Sequence, residues 1–139
     1  MKTIFETEHL LMFLGEKDTD IFIESKSKEI QEYHEQNMSA DEKLKRFDEF
    51  LDYFYNFWML VETKKDEKIY TLHFNLNLLM IEIPLSKYVK IKNILNSLKP
   101  VFKKNLKETY FKIENKLTKY FLDIVFSFYT PIKPVHIIN

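Results

Sequence analysis

From Ser39 to Glu62 the chain reads SADEKLKRFDEFLDYFYNFWMLVE. Leu44, Phe47, Leu51, Phe54, Trp58 and Val61 recur at spacings of three and four. That period lays one apolar stripe along an α-helix, and no strand register produces it. Phe50 and Phe57 widen the stripe into a face. Ser39 suits the N-cap, because its hydroxyl can accept a hydrogen bond from a free N–H of the first turn. Glu42, three residues on, completes a capping box, and Asp41 and Glu42 meet the positive end of the helix dipole. The rest of the chain is expected to pack around this helix, with Leu51 and Trp58 in the core. Asp48 lies off the stripe, so its replacement is expected to cost little.

Elsewhere the pattern is weaker. Residues 3–14 read as a short helix with Leu10, Leu11, Phe13 and Leu14 on its apolar side, and Gly15 suits a C′ position with positive φ. Asp18 to Ser25 alternates around Ile21 and Ile23, as either a short strand or the first turn of the next helix. Lys26 to Gln36 reads as a surface helix anchored by Ile30 and Tyr33, and Thr63 to Lys68 as a charged turn. The period then changes to two. Leu72, Phe74, Leu76 and Leu78 alternate with Thr71, His73, Asn75 and Asn77, which predicts a half-buried strand. Apolar residues continue through Met80, Ile81 and Ile83, so a bulge or turn is expected near Asn77, with one strand or two before Pro84. A helix capped by Ser86 follows, with Val89, Ile94, Leu95 and Leu98 on its buried side. Pro100 either kinks it or starts a new one. Phe102, Leu106, Ile113, Leu117, Tyr120, Ile124 and Phe128 then predict one long helix over Val101 to Phe128. The tail, TPIKPVHIIN, should be extended. The expected architecture is α+β and mainly helical: four to five helices on a small antiparallel sheet or hairpin at about 68–83, in a single domain spanning 1–139.

Composition bounds the function more than it names it. At 139 residues and 45% hydrophobic, the chain is long enough for one core, and it is neither disordered nor membrane-like. The excess of Lys, Asn, Ile, Phe and Tyr is what an AT-rich coding sequence gives, so Lys in place of Arg is not read as design. No cysteine is present, which excludes disulfides, thiol catalysis and Cys-ligated zinc. The first residues do not read as a signal peptide, since Glu6 and Glu8 interrupt the apolar run. No stretch reads as a membrane span. A cytoplasmic location is the expectation. The formal charge of zero hides a split: residues 1–67 carry 17 acidic and 9 basic side chains, and the remainder 4 and 12. The two halves are expected to neutralise each other in part.

Enzyme motifs are missing. With one glycine, a phosphate-cradling loop cannot be built, and there is no nucleophile elbow. His9, His34, His73 and His136 are scattered, none at a recognised metal spacing, so neither metal nor cofactor is predicted. His73, between Thr71 and Asn75 on the polar side of the predicted strand, is the one candidate general base. The carboxylates mostly stand four residues before a Lys or Arg, as in Asp41–Lys45 and Glu42–Arg46, which marks solvated helix faces.

Two binding surfaces remain. Lys103, Lys104, Lys107, Lys112, Lys116 and Lys119 lie off the stripe of the predicted long helix, and Lys112, Lys116 and Lys119 would share one of its faces. Such a face suits an acidic protein, or phosphate with Tyr110 and Tyr120 as stacking surfaces, or the chain's own acidic half. Tyr53, Tyr55 and Met59 widen the central helix beyond its stripe, which is the composition of a protein interface or of a helix buried on two sides. The favoured reading is a small protein-binding module, in the manner of immunity proteins, antitoxins or phage-borne inhibitors, that neutralises another protein. The partner-binding candidates are Lys104, Lys107, Lys112, Lys116, Lys119, Tyr53, Tyr55 and Met59. The alternative is a nucleic-acid-binding accessory protein using the Lys face, disfavoured by the lack of Arg for base readout. An enzyme centred on His73 is the third reading.

Overall fold

The computed structural model describes residues 2–35, 38–76 and 83–138. Its frame is a six-stranded mixed sheet: β1 (Lys2–Glu6), β2 (Leu10–Leu14), β3 (Asp20–Ser25), β4 (Tyr70–Leu76), β5 (Leu106–Ile113) and β6 (Val135–Ile138), side by side in chain order. The first three strands form an antiparallel meander, and β3 to β6 run parallel. Parallel neighbours need crossovers, and these carry α1 (Lys28–Glu35) with α2 (Ala40–Thr63), α3 (Leu85–Ser97) with α4 (Lys99–Asn105), and α5 (Lys116–Phe128). Each crossover moves the chain one strand in the same direction. Right-handed connections of that kind place their helices on one face of the sheet.

This overturns the expected small antiparallel sheet or hairpin at 68–83. The strand predicted there exists, but it is an inner strand with parallel neighbours on both sides. Its partners come from regions read as helix or left undecided. Residues 3–14 are two strands, because Thr7 turns the chain: its Oγ1 accepts from the N–H groups of His9 and Leu10 at 3.2 and 3.0 Å. The run LLMFL is then a strand with apolar side chains on both faces, a pattern that periodicity alone does not separate from a helix. Residues 20–25 are strand. Gly15 is not a helix terminator and has no positive φ. Residues 77–82, where a bulge, turn or second strand was expected, lie outside the described residues.

The predicted helix over 101–128 is three elements: α4, β5 and α5. Two asparagines divide them. Asn105 is buried, and its side-chain amide donates to the carbonyls of Asp66 and Lys68 at 2.7 and 2.9 Å, pinning the end of α4 to the turn before β4. Asn115 caps α5 by accepting from the Thr118 N–H at 2.8 Å. Between them, Leu106, Thr109, Phe111 and Ile113 point to the helices while Glu108, Tyr110 and Lys112 point away; the residues just before Thr109 carry the register irregularity.

The central helix is as expected. Ser39 caps it through the Glu42 N–H at 3.2 Å, and Phe50, Leu51, Phe54, Trp58 and Val61 are buried. Trp58 is 0% exposed, with Phe54, Phe57, Tyr70 and Phe102 set edge-on around it. Asp48 is not idle: its carboxylate accepts from Lys87 at 2.7 Å and Lys90 at 3.1 Å, tying α2 to α3. Lys90 also reaches Asp52 at 2.8 Å, so the acidic and basic halves do neutralise each other along this seam. Among the described side chains of α1 the buried one is Gln31, which donates to the Lys26 carbonyl at 2.8 Å, while Ile30 and Tyr33 are exposed. Pro84, not Ser86, stands at the N-cap of α3. The tail is extended, as β6. Among the described residues, no helix is long and apolar enough to cross a membrane.

Candidate functional site

Strand alternation sends every second side chain to the face of the sheet away from α2 to α5. Because the strands are in register, these side chains line up in rows across the sheet. The middle row is Phe13, Phe22, His73, Tyr110 and His136, one from each of β2 to β6, each directly opposite the next. Their rings stand on edge and stack in sequence, with centroids 5.2, 4.5, 5.4 and 4.7 Å apart and neighbouring planes within 24° of parallel. The strand spacing of about 4.8 Å sets that distance, and in-register planar side chains have little other way to pack. Phe13, Phe22, His73 and Tyr110 are half-buried and His136 is exposed, so the ring edges meet solvent while the inner faces are taken up by one another.

A polar row flanks the rings. Asp20, Thr71 and Glu108 lie opposite one another on one side of it. Asp20 Oδ1 is 3.1 Å from His73 Nε2. The Tyr110 hydroxyl donates to Glu108, and that bond is the main reason its phenol ionises above its usual range. His136 Nε2 stands 3.8 Å from the same Glu108 oxygen. On the other side lie Glu24, Asn75, Lys112 and Ile138. Three carboxylates thus face one lysine beside the rings, and Lys112 is itself 3.7 Å from Glu114. The surface is an aromatic ridge with one acidic flank, Asp20 and Glu108, and one mixed flank in which Glu24 and Lys112 offset each other. Among the described residues, no group of three or more His, Asp or Glu side chains is arranged to hold a metal ion.

The fold scatters the lysines singled out from the sequence. Lys112 is on β5, Lys116 and Lys119 are on α5, Lys104 is on α4, and Lys107 falls at the register irregularity of β5. All five are exposed. Lys112 shares no helix with Lys116 and Lys119, and Lys119 is 3.4 Å from Asp123. Tyr53 stacks on Phe5 at 4.4 Å, and its hydroxyl donates to the Ile4 carbonyl at 2.8 Å, so it braces the edge strand; burial raises its pKa. Tyr55 lines a shallow depression with Ser86, Val89 and Lys90. Met59 is half-buried at the margin of the core.

Of the ring row, sequence reasoning singled out His73 and placed it on the polar side of its strand, where it is. It missed Phe13, Phe22 and His136 as partners, and it placed Tyr110 on a helix. The signal was present in the alternation of DIFIES, KETYFKI and VHII, but the row exists only once the parallel register is known. Neither a protein-family model, nor a curated protein, nor a solved structure shows significant similarity to this chain.

Proposed function

We propose that the protein is a binding module that docks another protein on the ring-bearing face of its sheet. The observation that carries this reading is the ridge Phe13–Phe22–His73–Tyr110–His136, its ring edges open to solvent between rows of polar and charged side chains. Aromatic residues in a polar rim are the composition of a protein interface. The occupant is a partner presenting Lys or Arg. Asp20, Glu24 and Glu108 outnumber Lys112 on this face, so a basic surface is attracted and a second copy of the same face is repelled. The acidic partner inferred from the sequence rested on a continuous Lys-bearing helix, which the fold divides. Neutralisation of a partner, in the manner of an immunity protein or antitoxin, is the form of activity this reading favours.

Two features weigh against nucleic acid. The rings stack on each other, so the inner ones offer edges rather than free faces to a base. The flanking carboxylates oppose phosphate. A second reading rests on the Asp20–His73 pair, since a carboxylate that orients an imidazole is one half of a general-base arrangement. Thr71 is the adjacent hydroxyl on that face, and no hydrogen bond joins it to His73.

The test is competitive capture from native, nuclease-treated lysate by three forms of the purified protein. Wild type and Lys116→Glu with Lys119→Glu should retain the same protein species. Glu24→Lys with Glu108→Lys should lose it at least tenfold while keeping the wild-type circular dichroism. Capture that follows the α5 lysines instead, or that disappears with nuclease, would overturn the reading.

A further inference from the structure

Protein interiors pack to crystal density, and voids larger than a water molecule are few. Between the covered side of the sheet and helices α2, α3 and α5 lies an apolar cavity of about 160 Å³, partly open to solvent. Phe47 and Phe54 of α2, Leu95 of α3, Phe121 and Val125 of α5, and Phe111 of β5 are among its walls. The composition explains why it persists. A Phe ring is rigid and has few rotamers, so a core assembled from rings cannot collapse around a gap as one rich in small or flexible side chains can. The chain has one Ala and 13 Phe.

The lining also says what the space can hold. Water needs two to four polar partners in a buried site. Among the described residues the lining includes Thr109, Tyr129 and one charged side chain, Lys133, and no carboxylate or side-chain amide. Enclosed cavities of about 150 Å³ lined by Leu, Ile and Phe stay dry and admit benzene or xenon, and the walls here are of the same kind although one side is open. We propose that this cavity is a binding site for one small, uncharged, apolar molecule of the aromatic-hydrocarbon class. Phe side chains of α2, α4 and α5 and of the sheet are among its walls, so a planar aromatic guest gains ring contacts that an aliphatic one lacks. The site is on the opposite side of the sheet from the ring ridge and does not depend on the docking reading.

The probes are benzene, cyclohexane and xenon, and the protein is the full chain. Benzene at about ten times its dissociation constant should raise the midpoint of thermal unfolding by about 3–6 °C, through binding to the native state alone. Cyclohexane should give a smaller rise at equal free concentration. Val125→Phe and Leu95→Phe each place a ring in the space, and either should abolish the benzene response. Pressurised xenon should perturb the NMR methyl signals of Val125 and Leu95 in the wild type, a readout that survives if both filling variants fail to fold. No benzene shift and no xenon-sensitive methyls in folded wild type would overturn the proposal. So would an undiminished benzene response in a folded Val125→Phe variant, or a cyclohexane response equal to that of benzene.

Discussion

The ring of Phe22 lies over Gly15 so closely that a Cβ on Gly15 would come within 2.8 Å of Phe22 Cε2. The chain's one glycine is therefore a matter of space, not of backbone freedom, and it serves the ring ridge. Phe22 has little room to retreat, because Phe13 stacks against one of its faces and His73 against the other.

Gly15→Ala should destabilise the protein by about 1–3 kcal/mol, the usual cost of forcing a methyl group into a packed site. Phe22→Leu should relieve most of that penalty, so the two changes together should cost clearly less than their sum. Urea unfolding of the four-member mutant cycle measures the coupling. Strict additivity would mean that the two residues do not meet.

The core around Trp58 gives a graded expectation. Trp58→Ala should cost about 3–5 kcal/mol, because the surrounding rings leave a cavity. Among the described residues the buried indole N–H has no hydrogen-bond acceptor. Trp58→Phe sheds that unpaired donor along with part of the ring, so its cost should be under about 2 kcal/mol. Equal losses for the two variants, measured by denaturant midpoint and slope, would contradict this packing.

The Asp48 seam predicts a pH dependence. Hydrogen bonds from Lys87 and Lys90 hold the Asp48 carboxyl below its ordinary 3.8, against the effect of partial burial. A lowered folded-state pKa adds stability that is complete above the unfolded value and disappears as pH falls through the folded one. The stability difference between wild type and Asp48→Asn should therefore be constant above about pH 5 and shrink on acidification below pH 4. Its plateau should be at most about 1 kcal/mol, since the pair is partly exposed and screened. A difference that grows toward low pH would reverse the assignment.

His73 separates the docking reading from the catalytic one. His73→Phe keeps a ring between Phe22 and Tyr110 and loses only the bond to Asp20. Partner affinity should then fall less than about tenfold, whereas His73→Ala should weaken it further by breaking the ridge. If His73→Phe abolished a measured turnover by a hundredfold or more while binding held, His73 would be acting as a base.

The legible parts of this chain were those whose period excluded the alternatives. The stripe of α2 repeats for many turns, and β4 alternates cleanly. The error over 101–128 arose because Leu106 and Ile113 fit both a helical stripe and the inner face of a strand. The deciding residues were Asn105 and Asn115, whose side chains end one element and start another without altering the apolar pattern. Parallel pairing was not legible at all. His73 and Asp20 are 53 positions apart, and the crossover that brings them together is fixed by tertiary packing. The ring ridge inherits that opacity, since each of its members is unremarkable within its own strand.

The most direct test of the account is photo-crosslinking from defined positions in the partner-bound protein. A benzophenone side chain would replace Asn75 or Thr71, beside the ridge, and in separate variants Lys116 or Lys104 on the helical side. The account predicts a strong crosslink to one protein partner from positions 71 and 75, and none above background from 104 and 116. Crosslinks confined to 104 and 116, or crosslinks from 71 and 75 to nucleic acid, would contradict it.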